Sequence, residues 1–204
     1  MMPMTLNDKS LAAAAQSLAA RDAKLAFSLE KYGAPPLWER PPGFPTLVHI
    51  ILEQQVSLAS ARAAFTNLQQ YLGAVTPESF LTLDDITLKS IGFSRQKMRY
   101  CRLLAEAKFD FASLAAMPDA AVKAALTQFV GIGEWTANIY LLMALLRPDV
   151  WPKGDLALAV AWQDLCGASE RPTQDELEKY AANWQPYRSV AARLLWHHYL
   201  KRRA

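Results

Sequence analysis

Residues 126–158 read LTQFVGIGEWTANIYLLMALLRPDVWPKGDLAL. Apolar residues at helical spacing flank a Gly-Ile-Gly run, which predicts a helix, a short hairpin at residues 130–133 and a second helix. The glycines allow a sharp turn and leave amide N–H groups unshielded where the helix dipole favours an anion. We therefore predict phosphate binding by Gly131 and Gly133, with Thr136 as a further contact. An ordinary helix–turn–helix connection is the alternative.

Almost every other segment also has helical period, and no convincing alternating strand appears. Ser57 is a predicted N-cap of a helix that Gly73 ends, and Thr173 with Glu176 forms a predicted capping box. The sequence thus predicts an all-α fold of two helical subdomains with an active-site cleft between them. Residues 46–124 are expected to form one lobe, and residues 1–45 with 125–204 the other.

The composition is that of a folded protein with a sizeable core, because 52% of its 204 residues are hydrophobic and 20% are charged. The net charge of +3 permits a nucleic-acid partner without requiring one. Basic residues concentrate at residues 86–108 and 187–204, where they indicate either a polyanion-binding surface or solvated helix faces.

Several classes of protein are disfavoured. Cys101 and Cys166 are the only cysteines, too few for a disulfide framework or a four-cysteine metal site, so core packing is expected for both. No apolar run approaches about 20 residues, so no membrane span is expected. The alanine-rich segment at residues 11–20 lacks a basic leader, which disfavours a signal peptide. A cytoplasmic location is expected, or a nuclear one if the source has a nucleus.

Asp155 is the acid of greatest interest, because it ends a loop and precedes the apolar helix that begins at Leu156. One role is the N-cap of that helix, for which aspartate is well suited. The second role is catalytic, and the two are compatible because a capping carboxylate is held rigidly. A fixed carboxylate in a cleft stabilises a cation that develops on a substrate.

Four aromatic residues are candidates for one binding cleft: Trp135, Trp196, Trp38 and Tyr140. Core packing is the more common role of such residues on helices. As stacking platforms, they would contribute about 1–3 kcal/mol per base, which offsets part of the cost of extruding a base from a duplex.

Two polar turns complete the set of predicted DNA contacts. Gln54, Gln55 and Ser57 lie in a turn between helices, where Gln55 is the candidate to fill the gap that a flipped base leaves; an ordinary turn is the alternative. Ser94 and Lys97 lie in a degenerate copy of the hairpin. That copy is either a second phosphate contact or a glycine C-cap followed by a serine N-cap.

Taken together, these motifs resemble the helix-hairpin-helix DNA glycosylase superfamily, in particular its 3-methyladenine DNA glycosylase II branch. The resemblance extends from about Leu25 to Trp196. Its motifs are ILEQQVS at 51–57, IGFS at 91–94 with Lys97, FVGIGEWTAN at 129–138, DLAL at 155–158 and PYRS at 186–189.

The resemblance implies that Asp155 is the catalytic carboxylate, that Trp135 and Trp196 line the base pocket and that Gln55 is the wedge. It also implies a monovalent cation, Na⁺ or K⁺, on the backbone carbonyls of Thr127, Phe129 and Ile132. Trp135 stands where the strand-cleaving branch has a lysine, and the four cysteines of an iron–sulfur cluster are absent from the sequence. Hydrolysis without lyase activity, and without a required cofactor, is therefore expected.

The expected activity is excision of alkylated purines of the 3-methyladenine and 7-methylguanine type from double-stranded DNA, by a monomer, in base excision repair. Two alternatives remain. The first is a non-catalytic helix-hairpin-helix module that binds damaged DNA, which leaves Asp155 and the aromatic residues unexplained. The second is a glycosylase for another lesion, such as a deaminated or etheno base.

Overall fold

The computed structural model describes residues 3–203, and that part of the chain contains twelve α-helices, one 3-10 helix and no β-strand. The all-α prediction is confirmed. None of these helices is long and apolar enough to cross a bilayer. In chain order, the helices are α1 (Asp8–Ala19), α2 (Ala23–Tyr32), α3 (Phe44–Glu53), α4 (Leu58–Leu72), α5 (Pro77–Leu81), α6 (Asp85–Ile91), α7 (Arg95–Glu106), the 3-10 helix Phe111–Ala116, α8 (Asp119–Leu126), α9 (Glu134–Met143), α10 (Leu156–Cys166), α11 (Gln174–Ala182) and α12 (Arg188–Lys201).

Local capping signals fix most of these boundaries. The Ser57 side chain accepts a hydrogen bond from the Ser60 amide at the start of α4, and Gly73 ends that helix. Thr173 and Glu176 form the predicted capping box of α11. Helix α3 begins at Phe44 and takes Pro45 into its first turn. Proline is tolerated there, since first-turn amides have no helical acceptor.

The chain divides into two compact units, one formed by Arg40–Tyr140 and the other by Pro3–Glu39 with the chain from Leu141 onward. The expected lobe of residues 46–124 is thus extended to include the hairpin. A physical reason is that Gln54 donates hydrogen bonds to the Gly131 carbonyl and the Thr136 hydroxyl, which tie the hairpin to the end of α3.

The core of the first unit contains a run of phenylalanine rings. Phe80 lies 5.9 Å from Phe44 and 5.8 Å from Phe93, measured between ring centroids, and all three side chains are buried. Cys101 of α7 is completely buried in this unit. By contrast, Cys166 at the end of α10 is exposed, so the prediction of core packing was wrong for that residue. Cys166 is the last residue of α10, and that end of the helix is accessible to solvent although most of the helix is apolar.

The second unit is built around α12, in which ten consecutive residues, Ser189 to His198, are buried. A helix that is buried on all sides must satisfy its polar side chains internally. Arg193 does so with three backbone carbonyls, those of Leu37, Leu142 and Ser189, at 3.0, 2.7 and 3.2 Å. Burial lowers the pKa of this guanidinium to about 10.

We expect Arg193→Met to lower the free energy of unfolding by about 3–5 kcal/mol, because it leaves buried carbonyls without their charged donor. Urea denaturation followed by circular dichroism measures this loss. Arg202→Met is the matched control, since Arg202 is 54% exposed and pairs with Asp164 at the surface, where such a pair contributes about 1 kcal/mol or less. Equal losses in the two variants would contradict the structural role assigned to Arg193.

Candidate active site and nucleic-acid interface

The hairpin between α8 and α9 requires glycine at only one of its two glycine positions. Gly131 has φ of 92°, and a Cβ atom there would lie 2.2 Å from two ring atoms of Tyr100. Gly133 has no such φ, and a Cβ atom on it would meet nothing within 4 Å. Gly131 therefore shapes the turn, whereas Gly133 lies on the open side of the hairpin and is exposed at the start of α9.

Two of the residues predicted to contact DNA make hydrogen bonds that support this hairpin. The Gln54 side-chain amide donates to the Gly131 carbonyl at 2.9 Å and to the Thr136 hydroxyl at 3.0 Å. Thr136 is only 2% exposed, so its hydroxyl is not available to a phosphate in this conformation. For Thr136 the predicted DNA contact was wrong, because periodicity does not show that its hydroxyl is buried against Gln54. A direct DNA contact by Gln54 stays a prediction.

The turn between α3 and α4 presents Gln55 to solvent in a rare backbone conformation. Gln55 has φ of 57°, in the left-handed region that residues other than glycine seldom adopt. Its side chain is exposed, as is that of Ser57, which caps α4. The position suits a wedge, and that role stays a prediction.

The degenerate copy of the hairpin has the geometry of two helix caps. Gly92 ends α6 in the left-handed conformation, and the Ser94 hydroxyl accepts the Lys97 amide at the start of α7. The Lys97 ammonium donates to the Leu52 carbonyl at 2.7 Å, and partial burial lowers its pKa. Ser94 is exposed at a helix N-terminus and remains a predicted phosphate contact, whereas Lys97 primarily supports the end of α3.

Some basic residues of the two zones, residues 86–108 and 187–204, make contacts inside the protein and do not face solvent freely. Arg102 pairs with Asp85 at 2.7 Å, and Arg188 pairs with Asp149 at 2.9 Å. Arg193, which also belongs to the second zone, is buried. Exposed cations of the first zone line a groove of about 600 Å³ between α6 and α7; they are Lys89, Arg95 and Arg99.

Asp155 is held from two sides by hydrogen bonds. Its Oδ1 atom accepts the Leu158 amide at 3.2 Å, as the N-cap of α10, and the indole N–H of Trp196 at 3.2 Å. The side chain is partly exposed. The structure therefore realises the capping role and also gives the carboxylate a fixed position beside an aromatic ring.

The aromatic neighbourhood of Asp155 contains two of the four predicted rings. Trp38 meets Trp196 edge to face, with 6.4 Å between ring centroids, and is itself partly exposed. Its φ of 49° turns the chain sharply at this point. Trp38, Trp196 and Asp155 thus form one contiguous group within the second unit.

A cavity of about 300 Å³ in the second unit opens beside Asp155, and its lining includes Trp151, Arg171 and Gln174. No motif in the sequence pointed to Arg171 or Gln174. The Gln174 side-chain amide lies close to Gly154, because a Cβ atom added to Gly154 would be 3.4 Å from the Gln174 nitrogen. Gly154 has φ of 88°. The glycine directly before Asp155 was the one feature of the sequence that indicated a close approach of another side chain to the backbone here.

The other two predicted pocket residues belong to the first unit. Trp135 lies in the first turn of α9 and is partly exposed, as a stacking residue must be. Tyr140 is completely buried, and its hydroxyl accepts the Gly43 amide at 2.9 Å. A ring without accessible surface cannot contact a base, so the structure places Tyr140 in the core rather than in a pocket.

The predicted cation site fits in part. Carbonyl oxygens are suitable ligands for a hard monovalent cation. The Phe129 carbonyl already accepts the Ile132 amide at 3.0 Å, which closes the turn and leaves it one lone pair. Thr127 is exposed and Ile132 is buried. Within residues 3–203, no group of three or more His, Cys, Asp or Glu side chains could hold a metal ion.

The stretch of sequence that contains the hairpin, the polar turn and the capping aspartate matches a known family model. The model of the HhH-GPD superfamily of base excision DNA repair proteins aligns with residues 48–186. That range includes Gln55, Gly131 and Asp155. The chain belongs to the HhH-GPD superfamily.

Individual superfamily members resemble it over most of its length. The putative DNA-3-methyladenine glycosylase YfjP of Bacillus subtilis is 27% identical over 165 residues, which are 74% of this chain and 56% of that protein. The chain thus spans little more than half the length of this relative.

Two solved structures share the fold across nearly the whole chain. The 3-methyladenine DNA glycosylase Mag1 of Schizosaccharomyces pombe, in complex with abasic DNA, has a TM-score of 0.80 at 25% identity and covers 90% of this chain and 94% of its own. A DNA-3-methyladenine glycosidase from Bacillus halodurans has a TM-score of 0.72 at 31% identity, with coverages of 90% and 87%.

Proposed function

We propose that this protein is a DNA glycosylase that flips alkylated purines out of double-stranded DNA and hydrolyses their N-glycosylic bonds. The observation that carries the proposal is the position of Asp155, whose carboxylate is fixed by the Leu158 amide and the Trp196 indole. The glycosylases to which the chain is similar support the same class of reaction.

Methylation at N3 or N7 puts a positive charge on a purine and makes it a good leaving group without a general acid. As the bond between the sugar and the base breaks, the electron pair leaves with the base, and positive charge develops on the sugar. Asp155 stabilises that charge and accepts the proton of the attacking water. A charge pair at about 3.5 Å, with an effective dielectric of about 20, amounts to roughly 5 kcal/mol.

Trp196, which lies beside Asp155, would bind the cationic base, and the resemblance implies the same role for Trp135. The electron-rich face of an indole attracts a cation, with about 0.5–2 kcal/mol per contact. Trp38 supports Trp196 edge to face and restricts its orientation. The hydrogen bond from the Trp196 N–H to Asp155 further couples the ring that holds the base to the acid that stabilises the sugar.

The DNA backbone would bind at the hairpin around Gly131 and Gly133. The exposed Gly133 and the start of α9 offer amide N–H groups to a phosphate. We propose that a monovalent cation at the carbonyls of Thr127, Phe129 and Ile132 assists this contact and would supply positive charge facing the phosphate.

The protein would act as a monomer at the nucleoid in the cytoplasm, or in the nucleus of a eukaryote.

The reaction is proposed to stop at hydrolysis, without strand cleavage and without an iron–sulfur cluster. A glycosylase that also cleaves the strand needs an amine nucleophile to form a Schiff base with the sugar. Trp135 stands where the resemblance places that lysine. The expected products are therefore the free base and a continuous strand that carries an abasic site.

Incubation with dimethyl-sulfate-treated DNA tests the proposal through the release of free 3-methyladenine and 7-methylguanine, measured by chromatography. We expect release of base, intact strands until alkali is added, and no covalent complex after borohydride reduction. Binding of methylated DNA without release of any base would indicate a non-catalytic module. Release only from oligonucleotides with deaminated or etheno bases would reassign the lesion, and borohydride trapping would contradict the absence of lyase activity.

A further inference from the structure

Two exposed loops of the first unit are joined by a single side chain. The first is the wedge turn, defined as residues 54–57, and the second is the hairpin at residues 130–133. Gln54 starts the wedge turn as the C-terminal cap of α3, and its side-chain nitrogen donates to the Gly131 carbonyl and the Thr136 hydroxyl. The residue directly before the candidate wedge is therefore fixed to the middle of the hairpin.

This connection leaves the Gln54 side chain little freedom. An amide nitrogen carries two hydrogens, and the structure provides two acceptors, at 2.9 and 3.0 Å. The next residue, Gln55, has φ of 57°. Such a conformation persists in a residue other than glycine only when its surroundings impose it. A shift of the hairpin would thus be transmitted to the backbone that orients Gln55.

Helix α7 supports both loops from the same side. The Lys97 ammonium donates to the Leu52 carbonyl at the end of α3, at 2.7 Å. One turn further along, the Tyr100 ring lies against Gly131, where an added Cβ would be 2.2 Å away. Two residues one turn apart on α7 thus contact the end of α3, which leads into the wedge turn, and the hairpin, to which Gln54 is bonded.

We propose that Gln54 is a positioning residue that couples the DNA anchor to the wedge. When the hairpin binds a phosphate, the hydrogen bonds donated by the Gln54 side-chain amide fix the position of Gln55 relative to that phosphate. Gln55 then enters the base stack at the lesion. This inference rests on the proposed glycosylase function. Gln54 acts through Gln55 and needs no contact with DNA.

The test compares Gln54→Met with the wild-type protein on two DNA substrates. Methionine has a similar length and shape but donates no hydrogen bond. The first substrate is a duplex with 7-methylguanine paired to cytosine, and the second carries the same lesion opposite a one-nucleotide gap. Extrusion is less costly for an unpaired base, so a wedge defect matters less on the second substrate. Gln70→Met, at an exposed position on α4, is the matched control.

We expect single-turnover excision from the paired substrate to fall by about 10- to 100-fold in Gln54→Met, the range that a misplacement of about 1 Å produces. Excision from the gapped substrate and the Kd for undamaged duplex should change by about 3-fold or less. Equal losses on both substrates, or a loss confined to the Kd, would overturn the coupling role, and the latter would make Gln54 a direct DNA contact.

Thr136→Val provides a second variant if Gln54→Met proves unstable. It removes one of the two acceptors with little change of shape, and we expect a smaller loss in the same direction on the paired substrate. An unchanged rate on the paired substrate in a stably folded Thr136→Val would overturn the proposal.

Fluorescence of 2-aminopurine placed beside the lesion separates this inference from the proposed function. The wild-type protein should raise the fluorescence as the base is extruded, and Gln54→Met should not. A rise in fluorescence without release of base would contradict the glycosylase function and leave the coupling intact. Release of base by the wild type with an equal fluorescence rise in Gln54→Met would contradict the coupling alone.

Discussion

Asp155→Asn is expected to reduce the excision of alkylated purines by a factor of about 10³–10⁴ while the protein stays folded. The asparagine Oδ1 can still accept the Leu158 amide and the Trp196 indole N–H, and asparagine caps helices about as well as aspartate. The substitution therefore removes the charge and keeps the geometry. Loss of roughly 5 kcal/mol of charge stabilisation corresponds to the stated factor in rate.

The structure offers an unusually close control for this substitution. Asp22 caps α2 through the Lys24 and Leu25 amides, and its second oxygen accepts the Trp184 indole N–H at 2.7 Å. It is thus a second aspartate that combines a helix cap with an indole donor, without the cavity that opens beside Asp155. We expect Asp22→Asn to retain excision.

Single-turnover release of 7-methylguanine from duplex DNA, with thermal unfolding measured in parallel, compares Asp155→Asn with Asp22→Asn. Asp155→Asn activity within tenfold of the wild type would remove Asp155 from the catalytic role. A similar loss in Asp22→Asn, at unchanged stability, would show that the charge effect is not specific to the site.

Gly131→Ala is expected to disrupt the hairpin and to weaken DNA binding by about 100-fold at any sequence. The added Cβ would overlap the Tyr100 ring and would force alanine to adopt φ of 92°. The backbone penalty of about 1–2 kcal/mol adds to about 1–3 kcal/mol for the displaced ring. Because phosphate contacts carry no sequence information, the loss should be uniform across duplexes, as fluorescence anisotropy would show.

Gly133→Ala is the paired control, because a Cβ atom there meets no protein atom within 4 Å. We expect its free energy of unfolding to stay within about 1 kcal/mol of the wild type. Adding Tyr100→Ala to Gly131→Ala should recover only part of the loss, since the Tyr100 Cβ would still lie 2.8 Å from the new methyl group. Equal destabilisation by Gly131→Ala and Gly133→Ala would contradict this account of the hairpin.

The local structure of the site was readable from the sequence because its determinants are local. The caps at Ser57, Ser94, Asp155 and Thr173 depend on side chains within three residues of the amides they accept. The Gly-Ile-Gly turn likewise follows from the conformational freedom of adjacent residues. Those signals, combined in order, were sufficient for the all-α fold and for the resemblance to the superfamily.

The roles of individual side chains were less predictable wherever a long-range partner decides them. Thr136 and Tyr140 had the right chemistry for binding, but each is buried and directs its hydroxyl to Gln54 or to the Gly43 amide. Lys97, predicted as a phosphate contact, also donates to the Leu52 carbonyl. Whether a basic or polar residue on a helix faces solvent or the interior depends on which other helices and loops pack against it.

The sequence by itself therefore determined the helices, the hairpin turn and the N-cap at Asp155, since these follow from propensities and spacings over a few residues. Only the tertiary structure decided that Gly131 rather than Gly133 is conformationally required, because Tyr100 approaches it from another helix. It also brought the Trp196 indole, 41 residues distant in the chain, to the Asp155 carboxylate. Contacts between residues so far apart depend on how the helices pack, which no local pattern specifies.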